Sequence, residues 1–220
     1  FGLQLFNDKI GPRQVTGLNT AYAYHIRLGK GKLGFGLRAS ALNYMYRWDE
    51  LNYQNNQDVV IGQGNQSALS INFDYGMYYK DRLQFAGFEL AHLAQTMITS
   101  SNIEGKLIPH LSAFYGRAFE IKEKTALKAS LLFRGSKASN FADINVSAFI
   151  KQTFWVGLTY RTSGSAVFIA EYYFKPQFRI AYSYDYQLNG LATHQSGSHE
   201  VFLGYDFKIF KTNNLSPRLF

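Results

Sequence analysis

The stretch "PQFRIAYSYDYQ", residues 176–187, interleaves two sequences. Phe178, Ile180, Tyr182, Tyr184 and Tyr186 take one set of alternate positions, and Gln177, Arg179, Ala181, Ser183, Asp185 and Gln187 take the other. Successive side chains of a strand point to opposite faces, so this is a β-strand with one apolar, aromatic face and one polar face. The same partition recurs along the chain. Leu18, Tyr22, Tyr24, Ile26 and Leu28 oppose Asn19, Ala21, Ala23, His25 and Arg27; Leu69, Ile71, Phe73, Tyr75, Met77 and Tyr79 oppose Ser70, Asn72, Asp74, Gly76 and Lys80. Leu127, Ala129, Leu131 and Phe133 oppose Lys128, Ser130 and Arg134, and Ile144, Val146, Ala148 and Ile150 oppose Asp143, Asn145 and Ser147.

About twelve such runs, bounded by Gly, Pro, Asn, Asp and Lys, fill the chain. They are 1–7, 17–28, 33–45, 68–79, 83–93, 109–121, 125–135, 142–151, 154–161, 166–174, 177–187 and 198–209. The runs 83–93 and 109–121 are mixed, and periodicity does not assign their faces. Tight turns at 29–32, 80–82, 122–125, 152–153 and 175–176 alternate with longer links at 8–16, 46–67, 94–108, 136–141, 162–165 and 188–197. A meander of this kind puts the tight turns at one end and the large loops at the other, the polarity of transmembrane barrels.

Composition supports spanning strands over a soluble sheet. Aromatic residues make up 17% of the chain and hydrophobic residues 46%, yet 17% is charged and the mean hydropathy is −0.20. No apolar window is long enough for a spanning helix, whereas a spanning strand needs only about 10 alternating residues. In a soluble sandwich or lipocalin-like barrel, so many large apolar side chains on one face would make a very voluminous core. The polar face, rich in Gly, Ala, Ser and Asn with single charges, reads better as a barrel lumen. There Arg161, Arg179, Asp185, Glu200 and Asp206 are candidates to pair across the interior. The expected fold is all-β: one transmembrane antiparallel up-and-down β-barrel over residues 1–220. Lipid demands closure of such a sheet, because no backbone group can stay unpaired in hydrocarbon. With both chain ends in the periplasm, the tight turns are periplasmic and the large loops extracellular.

The net charge of +8 is spread over turns and alternate positions without a basic run, so no nucleic-acid partner is expected. With no cysteine, disulfides, thiolate metal sites and Cys nucleophiles are excluded. "GKGKLG", 29–34, matches a dinucleotide fingerprint, but a strand follows it where a phosphate-binding helix is required, so it reads as a hairpin turn. His25, His92, His110, His194 and His199 show no metal-ligand spacing, and neither metal nor cofactor is expected. Ser198 and His199 are neighbours in a strand and point to opposite faces, which argues against a nucleophile–base pair and against an enzyme. The loop 46–68 interleaves Tyr46, Trp48 and Tyr53 with amides including Asn55 and Asn56, a composition suited to recognising protein or glycan. With Asp8, Lys9, Arg13 and His194 from the other outer links, these are the candidate partner-binding residues.

Several blocks together resemble the PorP/SprF family of outer-membrane proteins of the type IX secretion system of Bacteroidetes. They are "LFNDKIGP" 5–12, "TGLNTAYAYHIRLGKGKLGFGL" 16–37, "FDYGMYYKDRL" 73–83, "FWVGLTYR" 154–161, "PQFRIAYSYDY" 176–186, "SGSHEVFLGYDF" 196–207 and "SPRLF" 216–220. The resemblance implies a role in protein secretion and gliding motility. The implied partner is a secreted adhesin with a type B C-terminal domain, exported or held at the cell surface. It further implies contacts with outer-membrane lipids and with periplasmic peptidoglycan-binding lipoproteins or secretion components. It carries no catalytic residues. It also implies further N-terminal strand-forming sequence, bringing the barrel to about fourteen strands, an even number; since "FGLQLFND" reads directly as strand, any export leader is expected upstream. The alternative reading is a passive outer-membrane channel for small polar solutes.

Overall fold

The computed structural model describes residues 1–50, 65–95, 97–100, 103–175, 177–193 and 195–207. Twelve strands form a single sheet in which every neighbour is antiparallel. In chain order they begin with β1 (Gly2–Ile10), β2 (Arg13–Leu28), β3 (Gly31–Arg47), β4 (Asn65–Lys80) and β5 (Gln84–Ala91). A separate hairpin follows, β6 (Met97–Ser100) with β7 (Ile103–Lys106), and lies against β4. The sheet resumes with β8 (His110–Lys122), β9 (Thr125–Gly135), β10 (Asn140–Ile150) and β11 (Phe154–Arg161), and ends with β12 (Ser165–Lys175), β13 (Phe178–Gln187) and β14 (Ser198–Tyr205). This is the up-and-down meander that the alternation predicts. The edges are β1 and β14, which pair only with β2 and β13 among the described residues.

Burial along β4 decides which face is which. Ser70, Asn72 and Asp74 are 0%, 0% and 4% exposed, whereas Leu69, Ile71 and Phe73 between them are 65%, 52% and 52% exposed. A soluble sheet has the reverse arrangement, because each exposed leucine-sized side chain forfeits about 1.5–3 kcal/mol of transfer free energy in water. In hydrocarbon that term vanishes, and the cost falls instead on polar groups, which here are enclosed. The cross-strand register carries the two faces around the sheet: Arg38 stands opposite Asp74, Gly76 opposite Glu89, Ser112 opposite both Glu89 and Arg134. The inner face of the mixed strands is thereby Phe85, Gly87 and Glu89 on β5 and Ser112, Phe114, Gly116, Ala118 and Glu120 on β8. Sequence reading stalls there because the inner face itself carries aromatics.

Three links expected to be long are tight. β1 and β2 are joined by Gly11 and Pro12 alone, with Gly11 at φ +55°, and their ladder runs to Ile10 opposite Arg13. Asp8, Lys9 and Arg13 are therefore strand residues. Their polarity suggests a loop because strand segments outside a lipid band need no apolar face; Gln14 Nε2 and Thr16 Oγ1 both donate to Asn7 Oδ1, at 2.8 and 3.0 Å. The links after β9 and β11 are also short turns, closed by Ser136 N–H to Ser139 O and Gly164 N–H to Arg161 O. The large connections at the same end are those after β3, after β5 and after β13.

Candidate functional site

The inner face holds two charge clusters, each built from several strands. In the first, Asp143 on β10 accepts from Arg134 on β9 (3.0 Å) and from Arg161 on β11 (3.2 Å), and Arg161 reaches on to Asp185 on β13 (3.1 Å). Gln187 Nε2 also donates to Asp185, at 3.2 Å. In the second, Arg38 on β3 joins Asp74 at 2.6 Å and Glu89 at 2.8 Å, while the other Asp74 oxygen accepts the His92 backbone N–H at 2.7 Å. Asp74 and Asp143 are buried carboxylates, and such groups persist only where paired and hydrogen-bonded. A carboxylate shared between two arginines also clamps the three strands that carry them.

Arg179 lies 3.8 Å from Glu171 and stacks over Phe202, 5.3 Å from the ring centre; Glu200 accepts from Ser183 Oγ at 3.2 Å. Asp206 lies past the end of β14, exposed, with its backbone N–H on Gln177 O.

Toward the end with the tight turns the inner face becomes aromatic. The rings of Tyr78, Phe85 and Phe114 meet at centroid distances of 5.9–6.3 Å, and Phe149 packs on Trp155 at 5.5 Å. Lys128 Nζ sits 4.3 Å over the Trp155 ring, where the π-face supplies the counter-charge. The rings lie flat on glycines: a Cβ on Gly116 would meet Phe85 at 2.3 Å, and one on Gly87 would meet Phe114 at 2.6 Å. This layer escaped the sequence reading; the glycines opposite phenylalanines in "QFAGFEL" and "SAFYGRAF" are the signal that could have revealed it.

At the opposite end, β4 pairs with β5 only from Tyr75 to Lys80, so residues 65–74 stand beyond β5 alongside β3 and β2. Within the inner face of this tall wall lies an apolar cluster: Val15, Leu42, Tyr44 and Ala68 are buried, and the partly buried Phe6, Tyr46 and Leu107, the last from the connection after β7, pack against them. Arg13 lies 5.7 Å from the Tyr44 ring centre, and Asp8 stands opposite Val15 on the same face. Tyr46 stacks on Trp48, centroids 6.1 Å apart, where the chain leaves β3 into a short 3-10 turn (Trp48–Glu50). On the outer face Glu50 takes Lys9 at 3.2 Å and Arg47 at 3.2 Å, and Arg47 Nη2 donates to Gln14 at 2.7 Å. Hydrogen bonds from Arg47, then Lys9, hold the Glu50 carboxyl below its ordinary range.

The structure thus brings Asp8, Arg13, Tyr46 and Trp48 to one rim, with Lys9 on its outer side. Tyr53, Asn55, Asn56 and His194 lie outside the described residues. Ser198 stands opposite Asp185 on the inner face, whereas His199 lies outside, with Nδ1 2.6 Å from the Tyr182 hydroxyl and its ring tilted against Tyr184 at a centroid distance of 4.7 Å.

No individual curated protein matches the chain. The family model described as type IX secretion system membrane protein PorP/SprF matches residues 1–205, which covers every strand of the sheet, and the chain belongs to that family.

Proposed function

We propose that this protein is a non-enzymatic outer-membrane barrel of the type IX secretion machinery. At the rim that carries the large connections, it binds a secreted cell-surface adhesin through that adhesin's type B C-terminal domain, and so helps to export or anchor it. The observation that carries the reading is the tall β1–β4 wall. Leu42, Tyr44 and Leu107 form a buried cluster behind its rim, where the half-buried Tyr46 and Trp48 stack on each other. Aromatic anchors backed by a rigid sheet are the material of binding hot spots. Membership of a secretion-system membrane family supports the same role, and the inverted faces support insertion in a membrane by strands. Periplasmic placement of the tight turns and extracellular placement of the tall wall follow from the usual polarity of such barrels.

The test is recovery of adhesin with the tagged protein from solubilised outer membranes. Tyr46→Ala with Trp48→Ala is expected to reduce recovery at least tenfold and to release adhesin into the medium. Unchanged surface retention of every adhesin, both in that variant and after deletion of 51–64, would sink the proposal. High, steady conductance in planar bilayers with no adhesin recovered would favour the channel.

A further inference from the structure

Among the described residues, inner-face cations elsewhere meet a carboxylate or an aromatic ring, but the tight-turn mouth breaks this pattern. Arg27 stands opposite Lys32, and Lys32 opposite Lys80, so three cations form a row across β2, β3 and β4. Lys30 adds a fourth in the turn between β2 and β3. None of the four forms an ion pair among the described residues; nearby Arg82 is taken by Glu120 and Asp81 by the N–H groups of Leu83 and Gln84. Like charges directly opposite on a sheet repel, so the row costs stability unless an anion covers it. Behind it is an open cavity of about 440 Å³ whose inner-face lining is Ala21, Ala23, His25, Gly34, Gly36 and Gly76 with Tyr78 and Phe114, and which reaches Arg38, Asp74 and Glu89. A Cβ on Gly36 would meet nothing closer than backbone oxygens at 3.9 Å, whereas one on Gly34 would meet His25 at 3.0 Å, so the part of this floor that leaves room for another main chain lies at Gly36, opposite Ala23.

We propose that the tight-turn mouth is a docking site for an extended, carboxylate-rich polypeptide segment, whose acidic side chains lie on Arg27, Lys32 and Lys80 while its backbone runs along the Gly/Ala floor. Inner-face placement of the row favours a polypeptide over lipid headgroups, which would meet the outer face. The proposal rests on the reading above only for the compartment, making the partner periplasmic; binding to purified protein does not depend on it, so either can fail alone.

The experiment uses the full chain in detergent and a fluorescein-labelled decaglutamate peptide, with a deca-(Gly-Ser) peptide as the neutral probe. Salt-dependent decaglutamate binding is expected, weakened at least tenfold by R27Q/K32Q/K80Q and at least threefold by Gly36→Leu, and unchanged by K124Q/K151Q in the other turns. Folding of each variant is checked by heat-modifiable migration. Equal loss in K124Q/K151Q, equal binding of the neutral peptide, or no loss in either mouth variant would overturn the site. Complete competition by phosphatidylglycerol vesicles but not by neutral lipid vesicles would overturn the choice of a polypeptide and assign the row to lipid phosphate.

Discussion

Asp143 shows how much a single inner-face residue is asked to do. It is buried, and it neutralises Arg134 and Arg161 at once. Asp143→Ala leaves two guanidiniums facing each other. Removing one partner of a fully buried pair costs about 3–5 kcal/mol, but Arg134 and Arg161 are 41% and 30% exposed, and screening cuts the expected loss to about 2 kcal/mol. Urea unfolding in micelles should show this, with a smaller loss for Arg134→Ala because Asp143 keeps Arg161. At the rim, the sign of the pH effect follows from Glu50. Its carboxyl is held below the ordinary value of 4.5, so its contribution is complete above that value and disappears as pH falls through the lower, folded value. Protease cleavage within 48–64 should therefore rise on acidification below about pH 4.5. Glu50→Gln should cleave quickly at every pH; a native protein with no pH dependence would refute the role of the Lys9–Glu50–Arg47 network.

Elements show where local pattern suffices and where it does not. β13 and β4 are legible from alternation, because period 2 belongs to the strand itself. The β1–β2 hairpin is not, since its upper half is polar on the outer face and is held by cross-strand amide and hydroxyl contacts that only register creates. The β10–β11 turn holds Lys151 and Gln152 at φ +52° and +56°, a conformation that Asn-Gly adopts with far less strain. Lys151→Asn with Gln152→Gly should stabilise the fold by about 1 kcal/mol, read as a higher unfolding midpoint. In the aromatic layer, Gly116→Val should destabilise by about 1–3 kcal/mol by displacing the Phe85 ring and crowding Ser130, and Phe85→Ala should recover the ring's part of that loss in the double variant. Simple additivity of the two would show that the ring does not depend on the glycine.

For the molecule as a whole, the defining feature is one sheet with an apolar outer face and a polar inner face, whose two ends are differently equipped. The tall wall with its apolar inner cluster dominates one, and cations that form no ion pair among the described residues dominate the other. With Leu107 packed against that wall and the aromatic layer and charge clusters on the inner face, single-molecule conductance should be small and noisy, and β6–β7 deletion should raise it. No change on deletion would mean that this connection does not narrow the bore.

The chain by itself determined the strands, their two faces, the antiparallel meander and the family, because each is written in residues close together in sequence. It also supplied Arg161, Arg179, Asp185 and Glu200 as inner-face charges, by parity alone. Only the tertiary structure decided which charges meet, that Phe85, Phe114 and Trp155 turn inward, that the connections after β1, β9 and β11 are tight, and that Arg27, Lys32 and Lys80 stand in a row. The reason is physical. Facing follows from the backbone period of a single strand, whereas partnership follows from register between strands, which joins residues as far apart as Arg38 and Glu89 and leaves no local trace.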